Sequence, residues 1–418
     1  MTVREIHLRY GRTSVPVKYD EDRFQILGTV DERAPLSDIE IGERLEAPVD
    51  SLRVEEIVGQ GEKVLFVVPD ATRRSGCGQM INLLVRRLIA NGTAPFEMAV
   101  IFATGIHRPV TEKEKHDILT PFIAQRIKTL DHDPRDLMQI VKVGETSGGI
   151  PVELNRALIE YDHVIVIGSV TFHYFAGYTG GRKLICPGLA SARTVSATHK
   201  LAFDCELKSR SAGVGTGLLD GNPVHEAFVE AASFAKPSFA INSVVNGSGD
   251  IVDVVCGNWS AAHRMACDEY GAANTVQIGE KRDLVIASCG GFPHDINMIQ
   301  AHKALEAASH VCTDGGTIVL LAECLEGMGR KDFLDWFSVQ GSDELAERLC
   351  EKYQVNGQTA WSLLRTAERF DVRLITSLAG DVVGRLRCTK IDGVVDGFGN
   401  KDGYLMPYGA QYRIGVSQ

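Results

Sequence analysis

Three short runs of almost unbroken apolar residues, at 64–68, 99–103 and 164–167, constrain this chain more than any other feature. A strand with one wet face alternates apolar and polar residues, whereas a strand covered on both faces does not. The runs therefore predict a mostly parallel sheet with helices on both sides. Each run stops at a polar loop, at 69–76, 104–109 and 168–188. An apolar-periodic helix is expected at about 80–90, and a charged helix start near Thr111. Ligands in open α/β sheets sit beyond the carboxyl ends of the strands, so the three loops are expected to face one crevice.

A second pattern of this kind begins near Asp283, with strands expected at 284–287, 316–321 and 372–376 and a helix at 297–308. The expected fold class is α/β: two α/β domains with mostly parallel sheets and an interdomain active-site cleft. A chain of 418 residues has room for both. The expected cut is 1–274 and 275–418, with the tail 397–418 free to return to the first domain.

Composition narrows the function classes. The formal charge is −10, and no long Lys/Arg run occurs, so nucleic acid is not an expected partner. No stretch reaches the ~18 apolar residues of a membrane span, and residues 1–10 lack the apolar core of a signal peptide. A cytoplasmic chain is expected. Its ten cysteines are scattered without a CxxC pair, which suits buried reduced thiols better than a disulfide framework or a zinc ribbon.

The loop 168–188 is the richest in chemistry. It carries Gly177, Gly180 and Gly181, with His173, Arg182 and Lys183. Glycines let backbone approach a ligand and turn N–H groups toward an anion. The Walker A spacing fails between Gly177 and Lys183, so this is not a nucleoside-triphosphate loop. Asp70, Thr72 and Arg73 follow the first strand; they can grip a ribose, phosphate or carboxylate, or simply cap a helix. His107 follows the second strand and His199 lies on an expected helix; either alone is as easily structural. Together, His107 and His173 are expected to end adjacent strands of one crevice, where two bases can serve both faces of a substrate. Gln300 and Lys303, spaced i, i+3, can share one helix face.

With these residues in place, the sequence resembles the nickel-dependent lactate racemase family. The family pattern has an Asp-x-Thr-Arg loop, a Gly-x-His-[Arg/Lys]-Pro loop, a His-x3-Gly-x2-Gly-Gly-x-Lys-x3-Pro-Gly loop, a downstream His and a Gln-x2-Lys. These match Asp70 to Arg73, Gly105 to Pro109, His173 to Gly188, His199, and Gln300 with Lys303. The resemblance implies a nickel-pincer nucleotide (nickel pyridinium-3-thioamide-5-thiocarboxylic acid mononucleotide), tethered to Lys183 through a thioamide. It implies His199 as the protein ligand to nickel and His107 with His173 as the acid–base pair. Arg73, Gln300 and Lys303 would anchor substrate, while Asp70, Thr72 and the three glycines would border the cofactor.

The implied activity is racemisation or epimerisation of a 2-hydroxy acid by proton-coupled hydride transfer through a 2-keto acid. Small-molecule substrates and the enzymes of cofactor synthesis are then the expected partners, and a homo-oligomer is compatible with this. The aromatic residue expected just before the Gln is replaced by Ile299, so the resemblance leaves the choice of 2-hydroxy acid open. Two other readings compete. A nicotinamide-dependent 2-hydroxy acid dehydrogenase would need a GxGxxG after a first strand, which is not seen. A non-catalytic nucleotide-cofactor carrier would keep Lys183 and the glycines but would have no need of His107 and His173.

Overall fold

The computed structural model describes residues 2–28, 33–394 and 401–416. The chain divides into two units, one of Asp31–Ala202 with Ala212–Ala272, the other of Met1–Val30, Phe203–Ser211 and Ala273–Gln418.

The first unit holds a six-stranded sheet in the order Ile251–Gly257, Phe239–Val245, His163–Ser169, Val64–Pro69, Met98–Ala103, Lys128–Leu130. All neighbours are parallel except the pair formed by the Ile251–Gly257 edge strand. The apolar runs are its central strands, and Val64 through Val68 are fully buried. Helix Cys77–Ala90 covers one face, burying Met80, Ile81, Leu84, Val85 and Leu88 at helical spacing. It starts earlier than expected because Gly76, at φ +63°, turns the chain into it.

The second unit has a six-stranded sheet ordered Thr389–Lys390, Asp371–Ile375, Cys312–Leu321, Arg282–Ser288, Gly403–Met406, Phe24–Ile26. Every pairing in it is parallel. Helices Met298–Ser309 and Val355–Arg369 pack on one face. On the other, Leu8 and Val17 of the hairpin Val3–Tyr10/Thr13–Asp20 meet Leu284, Ile286, Val319 and Leu405.

A single cut at 274/275 does not describe this packing. The N-terminal thirty residues belong to the second unit, where Phe24–Ile26 completes its sheet. The tail does not return to the first domain: Gly403–Met406 lies inside the second sheet, and Arg413–Val416 pairs with Thr275–Ile278. Positions 397–400 and 417–418 of the expected tail lie outside the described residues. The segment Phe203–Ser211 is a further excursion into the second unit, where Phe203 packs edge-on against Trp361 and Arg210 pairs with Glu306 at 2.6 Å. Burial opposes ionisation of Glu306, but the charges of Arg210 and His310 and the hydrogen bonds from Ser362 and Arg210 together outweigh it and bring the carboxyl down to about 2.

The cysteines also depart from expectation. Cys205 of that excursion is disulfide-bonded to Cys350, while eight others are free and buried. The partners are 145 residues apart, a separation at which spacing carries no pairing signal.

Candidate active site

Strand order places the site. The connections run from Val64–Pro69 to Met98–Ala103 and on to Lys128–Leu130. They then return to His163–Ser169 on the opposite side of Val64–Pro69. The order therefore reverses at Val64–Pro69, and the loops beyond its carboxyl end and that of His163–Ser169 flank the switch point. His107 and His173 do not end adjacent strands, because Val64–Pro69 lies between theirs. That intervening strand delivers Asp70.

Asp70 and Thr72 were expected beside a cofactor, but their polar atoms are committed to each other and to His107. Asp70 Oδ2 lies 2.6 Å from His107 Nδ1, and Oδ1 accepts from Thr72 Oγ1 at 2.6 Å and Thr72 N at 3.0 Å. Burial alone would raise the Asp70 pKa. The His107 ring, Arg73 and Thr72 together outweigh it and hold the carboxyl well below the usual range. An ionised Asp70 accepts from Nδ1–H, so in the neutral ring His107 Nε2 carries the lone pair. The His107 side chain is 46% exposed, so that face is accessible. Arg73 NH1 donates to the Thr72 carbonyl at 3.1 Å, which holds the guanidinium beside the pair.

His173 sits on the two-residue strand Phe172–His173, paired with Gly177–Tyr178. Its Nδ1 accepts from Ala176 N at 3.3 Å and Phe175 N at 3.5 Å. Gly177, Gly180 and Gly181 all have positive φ, as the turns require. A Cβ on Gly177 would meet the Leu218 carbonyl oxygen at 2.2 Å, and one on Gly181 the His263 ring at 2.5 Å. The loop is also stitched to its neighbour, since Gly105 N donates to the Gly188 carbonyl at 2.8 Å.

Lys183 lies in the short 3-10 turn Gly181–Leu184, with Nζ 5.4 Å from the Phe175 ring centroid and 5.3 Å from that of Phe228. His199, near the end of helix Ala192–Lys200, is centred 5.2 Å and 5.3 Å from the same two rings. Its Nδ1 bonds the Val195 carbonyl at 2.7 Å. Burial, with help from the Lys183 charge, pushes the His199 pKa down to about 3, so the ring is neutral with Nε2 unprotonated.

Phe175, Phe228 and Asn222 were not singled out from sequence. Asn222 donates to the Phe175 carbonyl at 2.9 Å and caps helix Pro223–Ser233. The Asn-Pro pair at that helix start was its only signal. Gln300 and Lys303 belong to the second unit, on helix Met298–Ser309, where Lys303 Nζ donates to Gln300 Oε1 at 2.7 Å.

Comparison with known proteins agrees along the chain. Residues 10–211 match the lactate racemase N-terminal domain and residues 278–385 the lactate racemase C-terminal domain. A lactate racemase of Lactiplantibacillus plantarum is 31% identical over 333 residues, 78% of this chain and 77% of that protein. One from Thermoanaerobacterium thermosaccharolyticum is 28% identical over 338 residues, 79% of this chain and 77% of that one. The solved lactate racemase apoprotein of T. thermosaccharolyticum superposes with a TM-score of 0.88 at 25% identity, covering 99% of this chain and all of that one. A Thermotoga maritima protein shares the fold, with a TM-score of 0.72 at 20% identity over 92% of this chain and 100% of its own.

Proposed function

The chain belongs to the lactate racemase family, and from that premise we propose that it is an isomerase inverting the C2 centre of a 2-hydroxy acid. The observation that carries this reading is the placement of Lys183 and His199 against the same two rings, Phe175 and Phe228, beside a switch point that also carries an Asp70–His107 pair. A dehydrogenase using free nicotinamide cofactor has no need of a lysine in that place.

The residues present fit the tethered nickel-pincer nucleotide that the family resemblance implies. Metal-bound histidines donate their second ring N–H to a carbonyl or carboxylate, and His199 Nδ1 is bonded to the Val195 carbonyl in that way. Burial keeps this ring neutral, as a ligand must be. Among the described residues no group of three His, Cys, Asp or Glu side chains is placed to hold a metal. One imidazole therefore suits a metal whose remaining donors come from a bound organic group. Lys183 would hold that group covalently and His199 would complete the metal's coordination. When bound, the group supplies the hydride acceptor and donor.

The chain's own residues then divide the remaining work. His107 Nε2 accepts the substrate hydroxyl proton, and Asp70 holds the ring in the tautomer that can do so. Arg73 binds the carboxylate, keeping the planar 2-keto acid in place while it reorients. His173 handles the proton for the opposite enantiomer. Gln300 and Lys303 retain their assignment as substrate anchors from the family resemblance.

The test is co-expression with the cofactor-synthesis enzymes, followed by intact mass, nickel content and a screen of chiral 2-hydroxy acids without added NAD. Inversion of one acid is expected, together with added mass that Lys183→Ala abolishes. Net NAD-dependent oxidation, or full activity with an unmodified Lys183, would overturn the reading.

A further inference from the structure

Arg182 is 1% exposed, and a guanidinium taken out of water ordinarily needs an anion. Among the described residues it has none. Its NH2 donates to the Ala176 carbonyl at 2.7 Å and its NH1 to the Thr179 carbonyl at 3.5 Å. NH1 also lies 3.0 Å from His263 Nε2, which is itself 2.9 Å from the Thr179 carbonyl. The third nitrogen, Nε, is buried without a partner. Burial lowers the Arg182 pKa only to about 10, so the side chain stays charged near neutral pH. Stability alone is a weak reason to keep such a charge, because an apolar side chain of similar volume often serves as well.

The bonds themselves suggest a different reason. Both carbonyls belong to the stretch 176–179, which forms the returning arm of the hairpin that carries His173. Ala176 is the link, since its N–H points at His173 Nδ1 while its C=O takes the shortest Arg182 bond. The residue after Arg182 is Lys183. One planar fork thus joins the His173 hairpin to the Lys183 turn, within one residue of Lys183 and one backbone hydrogen bond of His173.

We propose that Arg182 is a positioning residue that fixes the His173 imidazole relative to Lys183, so that the imidazole and the group held at Lys183 meet the same substrate. This rests on the roles assigned above to His173 and Lys183. A lysine at 182 keeps the charge but lacks the rigid fork, and a methionine keeps the bulk but neither charge nor donors. A shift of about 1 Å in a reacting group costs on the order of 100-fold in rate, so losses of that order are expected in kcat, with KM little changed.

Two measurements separate positioning from general damage. The first uses cofactor-free protein: nitrogen-15 NMR of the histidine rings, with His173→Gln assigning the signal. Wild type is expected to show His173 with Nδ1 unprotonated, and Arg182→Lys and Arg182→Met to show averaging between tautomers. The second uses loaded protein, verified by intact mass and nickel content, and follows the first half-reaction with each enantiomer by stopped-flow absorbance. Arg182→Lys is expected to slow the enantiomer served by His173 far more than the one served by His107. Wild-type kcat in both variants, equal slowing of both enantiomers, or an unchanged His173 signal would each overturn the proposal. If loaded wild-type protein inverts no 2-hydroxy acid, the racemase reading fails, and the NMR comparison still decides whether Arg182 holds His173.

Discussion

Replacing Asp70 by Asn changes one atom and should disable His107 while leaving the fold in place. The structure determines which way the new amide will face. Thr72 presents two donors to Asp70 Oδ1, its N–H at 3.0 Å and its hydroxyl at 2.6 Å. The amide oxygen will turn toward them, so the NH2 group faces His107 Nδ1 in place of a carboxylate oxygen 2.6 Å away. Nδ1 must then accept, and the ring proton moves to Nε2, the atom needed as a base. Restoring the working tautomer requires the amide to flip, which leaves the Thr72 N–H facing a donor at about 1–3 kcal/mol. The bond recovered is also no longer charge-assisted, a loss of roughly 1–1.5 kcal/mol. The sum, about 2–4.5 kcal/mol, corresponds to a fall in kcat of about 30- to 2,000-fold. The assay is the initial rate of inversion from each enantiomer, read by chiral chromatography on protein of matched nickel content and tether mass. Nickel and tether should stay at wild-type levels, because His199 and Lys183, not Asp70, are the proposed attachments. A rate within about threefold of wild type, under ~0.7 kcal/mol, would refute the argument.

Three further outcomes follow from other parts of the molecule. His199→Ala should lower nickel per chain while leaving the mass added at Lys183, since the tether and the imidazole are separate attachments; retention of full nickel content would remove His199 from the coordination. Burial brings the His132 pKa down to about 4, below the unfolded value of about 6.5. Between those two values the unfolded chain binds the extra proton, so stability should fall as pH drops through that window, by up to about 1.4 kcal/mol per pH unit. His132→Gln should flatten that part of the curve in thermal melts, and an unchanged slope would contradict the assignment. Thiol titration of the denatured, unreduced chain should find eight reactive groups, rising to ten after reduction, because Cys205 and Cys350 are joined.

The sheet of the first unit was legible because unbroken apolar strands have no other comfortable fate, and the polar loops at their ends marked its carboxyl edge. The order of the strands was not legible. Nothing local in the sequence says that Val64–Pro69 lies between the strands leading to His107 and His173, although this is what brings Asp70 to His107. The glycines read as places where backbone approaches a ligand, whereas what fills the space beside Gly177 and Gly181 depends on residues far away, Leu218 and His263. Arg182 read as half of a basic pair in a loop, whereas three-dimensional packing removes it from water and spends it on carbonyls. The N-terminal strand Phe24–Ile26 and the tail escaped placement for the same reason, since their parallel partners are set by packing and not by neighbours in sequence.

The two histidines of the proposed acid–base pair are held in unlike ways, and the distances show which is the more firmly set. His107 faces an ionised carboxylate at 2.6 Å, so its tautomer is fixed by a charge-assisted bond. His173 Nδ1 faces two backbone N–H groups at 3.3 Å and 3.5 Å, at the long end of the range for such bonds. A neutral pair therefore presents an acceptor at His107 and a donor at His173, which suits a substrate hydroxyl giving its proton to the first while the second steadies an oxygen. The opposite enantiomer needs His173 to accept instead. Protonating Nδ1 leaves two backbone N–H groups facing a donor, at about 1–3 kcal/mol each, still a fraction of a catalytic barrier. Reversal of roles breaks only long neutral bonds at His173 and a short charge-assisted one at His107. Running in both directions requires each ring to accept in one direction and donate in the other, and at His173 the hairpin clamped by Arg182 keeps the ring in place while its proton changes.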